Sequence, residues 1–578
     1  MRRVFLKRQA QSIIFSFDEN FLLLIMALIV GILGGFAAVF LNYSLEFCYE
    51  HLHVFRQYWW AFFFPGVGAI CSCVFLKKII RDDKGHGVPD VIYSVSKKGG
   101  LLKVRSIFSR LFSSILTIGS GGSAGPEAPI LYSGAAIGSN IARLFSLNER
   151  QRITLLGCGT ASAISAIFNA PVSGIIFTLE VILAEWNTIY LVPVAIASVA
   201  GTELSRFLRG NQIPFSNSGF NIGFDDLIAA ALLAVFTAVI SVLFTRSMEK
   251  SNKLASSFEK KFRLTFFVKA GLGGCAVGII GFFIPDALGE GYHSIRELIS
   301  GTYSTGLAIA GVALFAKIIA TAITLGWGGS GGVFAPSLVI GSFTGVVFYR
   351  VFTLIFPEAN LVSEGGFALL GMSGVMAGVL QAPLTGIFLI VEITGGYEVI
   401  VPLIIVSSLS SVICRYLEPA SVYLKELVEK GTLLRPGTDA KVLSDLKVEE
   451  ILEKDCLEVF NDMRLKELIY LLKVSKRNFF PVVDRKTKDF LGVVHLDHIR
   501  PYLLDSLMYE TVFIYQIMDS EIPVISPDTE LKEALDIMDE YSMFSIPVLS
   551  GRKFMGIISK GTLLDQYRKE LMVQTSEI

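Results

Sequence analysis

Gly121–Pro129 reads GGSAGPEAP and Gly328–Pro336 reads GGSGGVFAP, alike at Gly, Gly, Ser, Gly, Ala and Pro with a constant offset of 207. A second pair follows in the same order. Ala170-Pro171-Val172-Ser173-Gly174-Ile175, with Glu180 nine residues after the proline, is echoed at an offset of 212 by Ala382-Pro383-Leu384-Thr385-Gly386-Ile387 with Glu392. Two matches in one order predict an internal duplication, with repeats around residues 60–210 and 265–415.

Both pairs interrupt hydrophobic sequence. The chain has 578 residues, 52% of them hydrophobic and 18% charged, with a mean hydropathy of +0.59. Charged residues make up about 25% of a soluble globular protein, so most of this chain belongs in lipid. Of the 102 charged side chains, residues 431–578 hold 44 (19 basic, 25 acidic), which separates a membrane body, 1–430, from a water-soluble tail. Net charge is zero and no basic stripe stands out, which argues against nucleic acid as a partner. The seven cysteines form no CxxC pair and are assigned no chemistry.

The N-terminal MRRVFLKRQA precedes an apolar run, Phe21–Phe40, long enough to cross a bilayer. The run is longer than a cleaved signal core, so an uncleaved first helix with a cytoplasmic N-terminus is expected. After Phe62–Phe75 comes a second basic cluster, KKIIRDDK, consistent with two crossings and a return to the same side. Without an Arg/Ser-rich leader, a plasma or inner membrane is the expected location of a multi-pass protein with both termini cytoplasmic. Later segments are short and broken by Gly and Pro. Non-helical backbone at membrane depth is tolerated where it lines a watery cavity or is buried in protein, so paired breaks in two halves point to a transport path between repeats.

The chemistry follows from the breaks. A glycine-rich start to a helix leaves N–H groups unpaired and turns the positive end of the helix dipole toward whatever stands in front. Such termini converging at midplane hold a small anion by partial charges, weakly enough to release it. Glu127 lies within the first segment. Ionised, it takes the anion's place; protonated or displaced, it leaves, which makes it a gate and proton carrier. The matching residue of the second repeat, Phe334, cannot do this, so the duplicated sites are chemically unequal.

On these residues the chain resembles the CLC family of chloride channels and proton-coupled chloride exchangers. Gly85-His86-Gly87-Val88-Pro89-Asp90 is similar to the family's GSGIP motif, Gly125-Pro126-Glu127-Ala128-Pro129 to GREGP, and Gly332-Val333-Phe334-Ala335-Pro336 to GxFxP, in family order. The resemblance implies an all-α polytopic membrane fold of two inverted repeats, assembled as a homodimer with one pore per subunit. It implies an anion held by the backbone amides of Val333 and Phe334 and by the Tyr423 hydroxyl, flanked by Gly125, with Glu127 as the external gate. Three departures stand out. His86 replaces the serine of the central site, leaving either its imidazole or the Gly87 amide to face the anion and leaving anion selectivity open. Pro126 replaces an arginine beside the gate. Val181 occupies the position of the internal proton-transfer glutamate of many exchangers, and valine relays no proton. This favours a gated chloride channel, with proton-coupled exchange as the alternative. Glu185 reads as solvated. Glu180, echoed by Glu392, reads as structural in both repeats.

The tail repeats too. Asp462–Glu467, Pro481–Val483 and Gly492–Val494 match Asp528–Glu533, Pro547–Leu549 and Gly556–Ile558 at offsets of 66, 66 and 64. Each unit reads as helix, strand, turn, strand. This resembles a pair of small α/β CBS domains, 444–508 and 509–578, after a linker at 431–443. Relatives' CBS pairs often bind adenine nucleotides. Here the corresponding positions are His495 and His498 in the first unit and Ser559 and Thr562 in the second, which leaves a nucleotide open against a purely structural, dimer-stabilising role.

No enzyme signature appears: the sequence holds no HExxH, GxSxG-like or Ser/Lys pairing, and the six histidines do not cluster, so no catalytic or metal-binding residue is assigned. No cofactor beyond bound chloride is expected, with membrane lipid, a small anion and a second copy of the chain as partners. A third reading makes the CBS pair a sensor and the membrane body its anchor, but an anchor needs no duplicated broken helices.

Overall fold

The computed structural model describes residues 19–53, 58–81, 87–211, 215, 223–359, 361–429, 448–475, 477–503, 507–529, 531–541 and 543–567. The N-terminal basic cluster, residues 82–84 of the second one, His86 and the expected linker lie outside these residues. The chain divides into two compact units, Met1–Leu433 and Leu434–Ile578.

The first unit is helical, and its helices run twice through one order. The first pass is α1 (Glu19–His53), α2 (Phe64–Val74), α3 (Val88–Lys97), α4 (Ser106–Gly119), α5 (Glu127–Leu144), α6 (Glu149–Phe168), α7 (Pro171–Phe177) and α8 (Thr188–Arg209). The second is α9 (Phe224–Phe262), α10 (Phe266–Phe283), α11 (Tyr292–Ile299), α12 (Leu307–Gly326), α13 (Phe334–Ile355), α14 (Glu364–Leu380), α15 (Pro383–Thr394) and α16 (Ile400–Leu417). Each pass is longer than the repeat expected from sequence, because α1 and α9 also correspond. These two lack a shared motif and match only as long apolar helices. Among the described residues, eight helical segments are long and apolar enough to cross a membrane. Others, such as α7 and α11, stop short, as the Gly/Pro breaks predict.

The passes are related as an antiparallel pair. Gly125 and Gly332 exchange two backbone hydrogen bonds, 2.8 and 2.7 Å, as an antiparallel bridge between the two passes. On either side the cross-links are reciprocal. The Ser123 N–H donates to Thr324 Oγ1 and the Ser330 N–H to Thr117 Oγ1, both at 3.1 Å.

The same reciprocity explains the echoed acids. Glu392 accepts from the N–H groups of Val172 and Ser173 (2.9 and 2.7 Å) and from the Ser173 hydroxyl at 2.5 Å. Glu180 accepts from the N–H groups of Leu384 and Thr385 (3.1 and 2.8 Å) and from the Thr385 hydroxyl at 2.7 Å. Each carboxylate therefore caps the N-terminus of a short, proline-initiated helix in the opposite repeat, satisfying donors with no intrahelical partner.

The second unit holds two modules of like plan. In the first, β1 (Val459–Phe460), α17 (Leu465–Val474), β2 (Phe479–Val483) and β3 (Phe490–His495) form a sheet of order β1-β2-β3 with a helix upon it. In the other, α18 (Leu531–Glu540) precedes the antiparallel pair β4 (Ser545–Ser550) and β5 (Lys553–Ser559). The modules exchange chain. Val448 and Ile451 pack into the core of the second module beside Ile546 and Ile558, and Ile514 enters the first beside Leu465 and Phe480. The core packing therefore does not follow a boundary at 508/509. Apolar residues outside the two repeats supply part of each core.

Candidate functional site

Both motif helices start at the Gly125–Gly332 bridge, so the first turns of α5 and α13 lie against one another at the centre of the unit. Glu127, the first residue of α5, is 1% exposed. One carboxylate oxygen accepts from the Ala335 amide in the first turn of α13, at 3.3 Å, and the other accepts from the Tyr292 hydroxyl. The carboxylate therefore sits where a small anion would be held by the α13 terminus. Gly125 makes room for it: a Cβ there would lie 2.1 Å from Glu127 Oε2 and 3.0 Å from the Ala335 nitrogen.

The other expected residues gather around this point. Val333 and Phe334 are buried, and the Phe334 ring packs on Phe168 and Phe177 with centroids 5.2 and 5.9 Å apart. Tyr423, 6% exposed, belongs to the same core cluster as Phe334 and Ala128. Gly87 caps α3 with φ +84°, a conformation glycine adopts without strain, and its Cβ position would lie 3.6 Å from the Ala128 carbonyl. Val181 is half-buried against the core and offers no titratable atom. Of the anion-site residues expected from sequence, only His86 lies outside the described residues.

Sequence reasoning missed Tyr292, although a signal was present. Gly289-Glu290-Gly291-Tyr292 matches Gly85-His86-Gly87-Val88 at its two glycines, at an offset of 204. Gly291 caps α11 at φ +86°, as Gly87 caps α3 at +84°. A match of two glycines is too little to stand alone, and only the folded pair α3/α11 gives it meaning. Lys317 is a second buried polar residue that the sequence motifs do not single out. It is 0% exposed on α12, and its ammonium donates to the carbonyls of Ala287 (3.4 Å), Leu288 (3.3 Å) and Gly289 (2.8 Å). Those bonds pin the turn that leads into Tyr292.

Tyr292 also borders a cavity of about 1020 Å³, lined among others by Glu46, Phe168, Arg209, Glu290 and Arg296. The cavity therefore reaches the residue whose hydroxyl holds the Glu127 carboxylate. Among the described residues no group of three or more His, Cys, Asp or Glu side chains could hold a metal ion.

A model of the voltage gated chloride channel family matches residues 68–415. The chain belongs to this family. It is an integral, multi-pass transporter of the CLC type, moving anions rather than catalysing a reaction, and a CBS domain model matches residues 514–569 of its tail. The H(+)/Cl(-) exchange transporter ClcA of Vibrio cholerae serotype O1 (strain M66-2) is 28% identical over 405 residues, covering 67% of this chain and 85% of that protein. The chloride channel protein CLC-f of Arabidopsis thaliana is 26% identical over 570 residues, 84% of this chain and 72% of that one. The crystal structure of a slow cyanobacterial Cl−/H+ antiporter superposes with a TM-score of 0.65 at 23% identity, covering 72% of this chain and 99% of that one. A eukaryotic CLC transporter gives 0.63 at 17% identity over 94% and 99%. Both share the fold.

The tail residues singled out for a nucleotide are occupied by the protein itself. The Ser559 hydroxyl donates to Glu453 Oε1 at 2.5 Å, the Thr562 hydroxyl donates to the same oxygen, and the Arg477 guanidinium pairs with the other. His495 and His498 lie with ring centroids 6.3 Å apart, and His495 Nδ1 sits 3.2 Å from Asp497.

Proposed function

We propose that the protein exchanges chloride, or a similar small anion, for protons across its membrane, with Glu127 as both gate and proton carrier. The observation that carries this reading is the seat of the Glu127 carboxylate on the first turn of α13, in the place of an anion. A tethered anion competes with a free one. Protonation removes its charge and its claim on the Ala335 N–H, so one proton is taken up as an anion enters. The relatives named as H(+)/Cl(-) exchange transporters support exchange over the gated channel that Val181 favours on sequence alone. The internal acid lost at Val181 is not supplied by Glu180, whose carboxylate is engaged in capping, so water would carry the proton past Val181.

In this reading Val333, Phe334, Gly87 and Tyr423 line the anion's path, the protein is a homodimer, and both termini are cytoplasmic in a plasma or inner membrane. The CBS pair acts as a structural, dimer-stabilising tail, because Glu453 already takes the hydroxyl protons that Ser559 and Thr562 would donate to a nucleotide's phosphate.

The test is chloride flux from proteoliposomes carrying a pH-sensitive dye, for wild type, Glu127→Gln and Glu127→Ala. A chloride gradient should drive protons uphill in wild type and in neither variant. Chloride flux without proton movement in wild type would return the reading to a channel.

A further inference from the structure

The gate is held from two sides, and only one hold comes from the anion-binding helix. Ala335 offers a backbone amide, which any anion in that place would meet. The Tyr292 hydroxyl is different: it comes from the start of α11, the second-repeat counterpart of α3, and it borders the cavity. A phenol that donates to a carboxylate stabilises the ionised form, because a protonated carboxyl offers a weaker acceptor.

We propose that Tyr292 is a positioning residue for the gate: its hydroxyl latches the ionised Glu127 carboxylate onto α13 and sets the proton concentration at which the gate releases. This rests on Glu127 being the gate. The latch is built with care around the ring. Lys317 fixes the Ala287–Gly289 carbonyls, and Gly291 takes a left-handed conformation where a Cβ would press on Val339 Cγ2 at 2.7 Å and on Lys317 Nζ at 3.2 Å. The Tyr292 ring itself rests near Phe215, with centroids 6.1 Å apart. The turn therefore delivers one hydroxyl to one carboxylate.

The charged and titratable groups facing this pair are Glu290 from the same turn, Arg296 from α11, Lys317 from α12 and Tyr423 after α16. Glu46 and Arg209, from α1 and α8, pair with each other at the cavity wall. None of these except Tyr292 donates a side-chain hydrogen bond to Glu127. Their fields act on wild type and a Tyr292 variant alike, so a change that follows the hydroxyl is separable from them.

The experiment measures chloride flux from proteoliposomes of the full chain at equal pH on both faces, stepped from acidic to neutral. Wild type, Tyr292→Phe, Glu127→Gln and the double variant are compared. Tyr292→Phe keeps the ring and loses the hydroxyl. Without the latch a proton releases the gate at lower concentration, so half-maximal flux should move to higher pH by about one unit, while the maximal rate stays within about twofold. Glu127→Gln should show no pH dependence, and the double variant should match it. Tyr292→Leu, which also lacks the hydroxyl, repeats the comparison if the Phe variant does not elute as wild type. A Tyr292→Phe profile superimposed on wild type overturns the latch and leaves Glu127 as the gate. A shift that persists in the Glu127→Gln background overturns it too, since the tyrosine would then act elsewhere. If Glu127→Gln keeps the wild-type profile, the gate assignment fails, and the latch with it.

Discussion

Replacing Glu180 by glutamine, and Glu392 by glutamine in a separate variant, should cost the same stability and leave transport intact. Each carboxylate satisfies three donors at the start of a helix in the opposite repeat. Glutamine keeps one carbonyl oxygen, loses the charge and turns an NH2 toward the donors. At least one buried donor then goes unmet, at about 1–3 kcal/mol, and the favourable charge at the helix N-terminus is lost, at about 0.3–1 kcal/mol. The two effects together come to about 3 kcal/mol. With about 2 cal/mol/K of unfolding entropy per residue, a body the size of Met1–Leu433 melts about 3 °C lower for that loss. The assay is the melting midpoint of the detergent-solubilised full chain, with chloride and proton flux measured on the same preparations. A Glu180→Gln variant that melts like wild type yet moves no protons, beside a Glu392→Gln variant that moves them normally, would refute the reasoning and make Glu180 a proton carrier.

Phe334→Ala removes a fully buried ring from between Phe168 and Phe177, at about 3–5 kcal/mol, while Phe334→Leu should cost less than half as much; melting of the purified chain checks both. Gly291→Ala forces a Cβ into left-handed backbone 2.7 Å from Val339 Cγ2, and should both lower the melting temperature and reproduce the flux profile of Tyr292→Phe. Gly301→Ala is its control, since φ is +69° there but nothing lies within 4 Å of the added carbon, so only about 1 kcal/mol of backbone strain is expected. In the tail, Glu453→Ala leaves the Ser559 and Thr562 hydroxyls without their shared acceptor while Arg477 keeps Asp455, and should destabilise the second unit by about 1–3 kcal/mol, and wild type should gain no melting temperature from millimolar ATP.

The parts of the fold legible in sequence were those where the chemistry forces particular residues. Gly125 leaves room for the Glu127 carboxylate, which lies where a Cβ would go. The paired prolines Pro171 and Pro383 had to begin helices whose N-termini receive a glutamate from the other repeat. These constraints leave matching motifs in both halves. The correspondence of α1 with α9 leaves none, because a long helix against lipid and neighbouring helices is satisfied by many apolar sequences. Tyr292 was hidden for another reason. It acts on Glu127 from 165 positions away, and its own motif is four residues long, so distance in sequence and brevity conceal a contact that the fold makes direct. Lys317 was concealed by its setting in an apolar helix, where its partners are backbone carbonyls that no side-chain pattern reveals. The exchange of Val448, Ile451 and Ile514 between the tail modules escaped notice because a repeat marks where like elements recur, and not which core each flanking apolar residue enters.

The near-symmetry of the body separates frame from function. The Ser/Thr cross-links and the two glutamate caps occur twice, related by exchange of the repeats. A bond present in both halves serves what both halves need, which is to hold two antiparallel repeats together at membrane depth, where each unpaired backbone group costs several kcal/mol. Transport needs the opposite: the two faces of the membrane must be told apart, so its residues have to break the exchange. The two repeats differ at matching places. Glu127 and Phe334 hold matching positions two residues beyond the bridging glycines, one a carboxylate and the other an aromatic ring. Tyr292 stands where the first repeat has Val88, so a side-chain hydroxyl that donates to Glu127 comes from one repeat and an aliphatic side chain from the other. Glu290 likewise answers His86. Substitutions that restore the symmetry at these positions should therefore damage coupling with little loss of stability, whereas substitutions at the paired Ser, Thr and capping Glu positions should do the reverse.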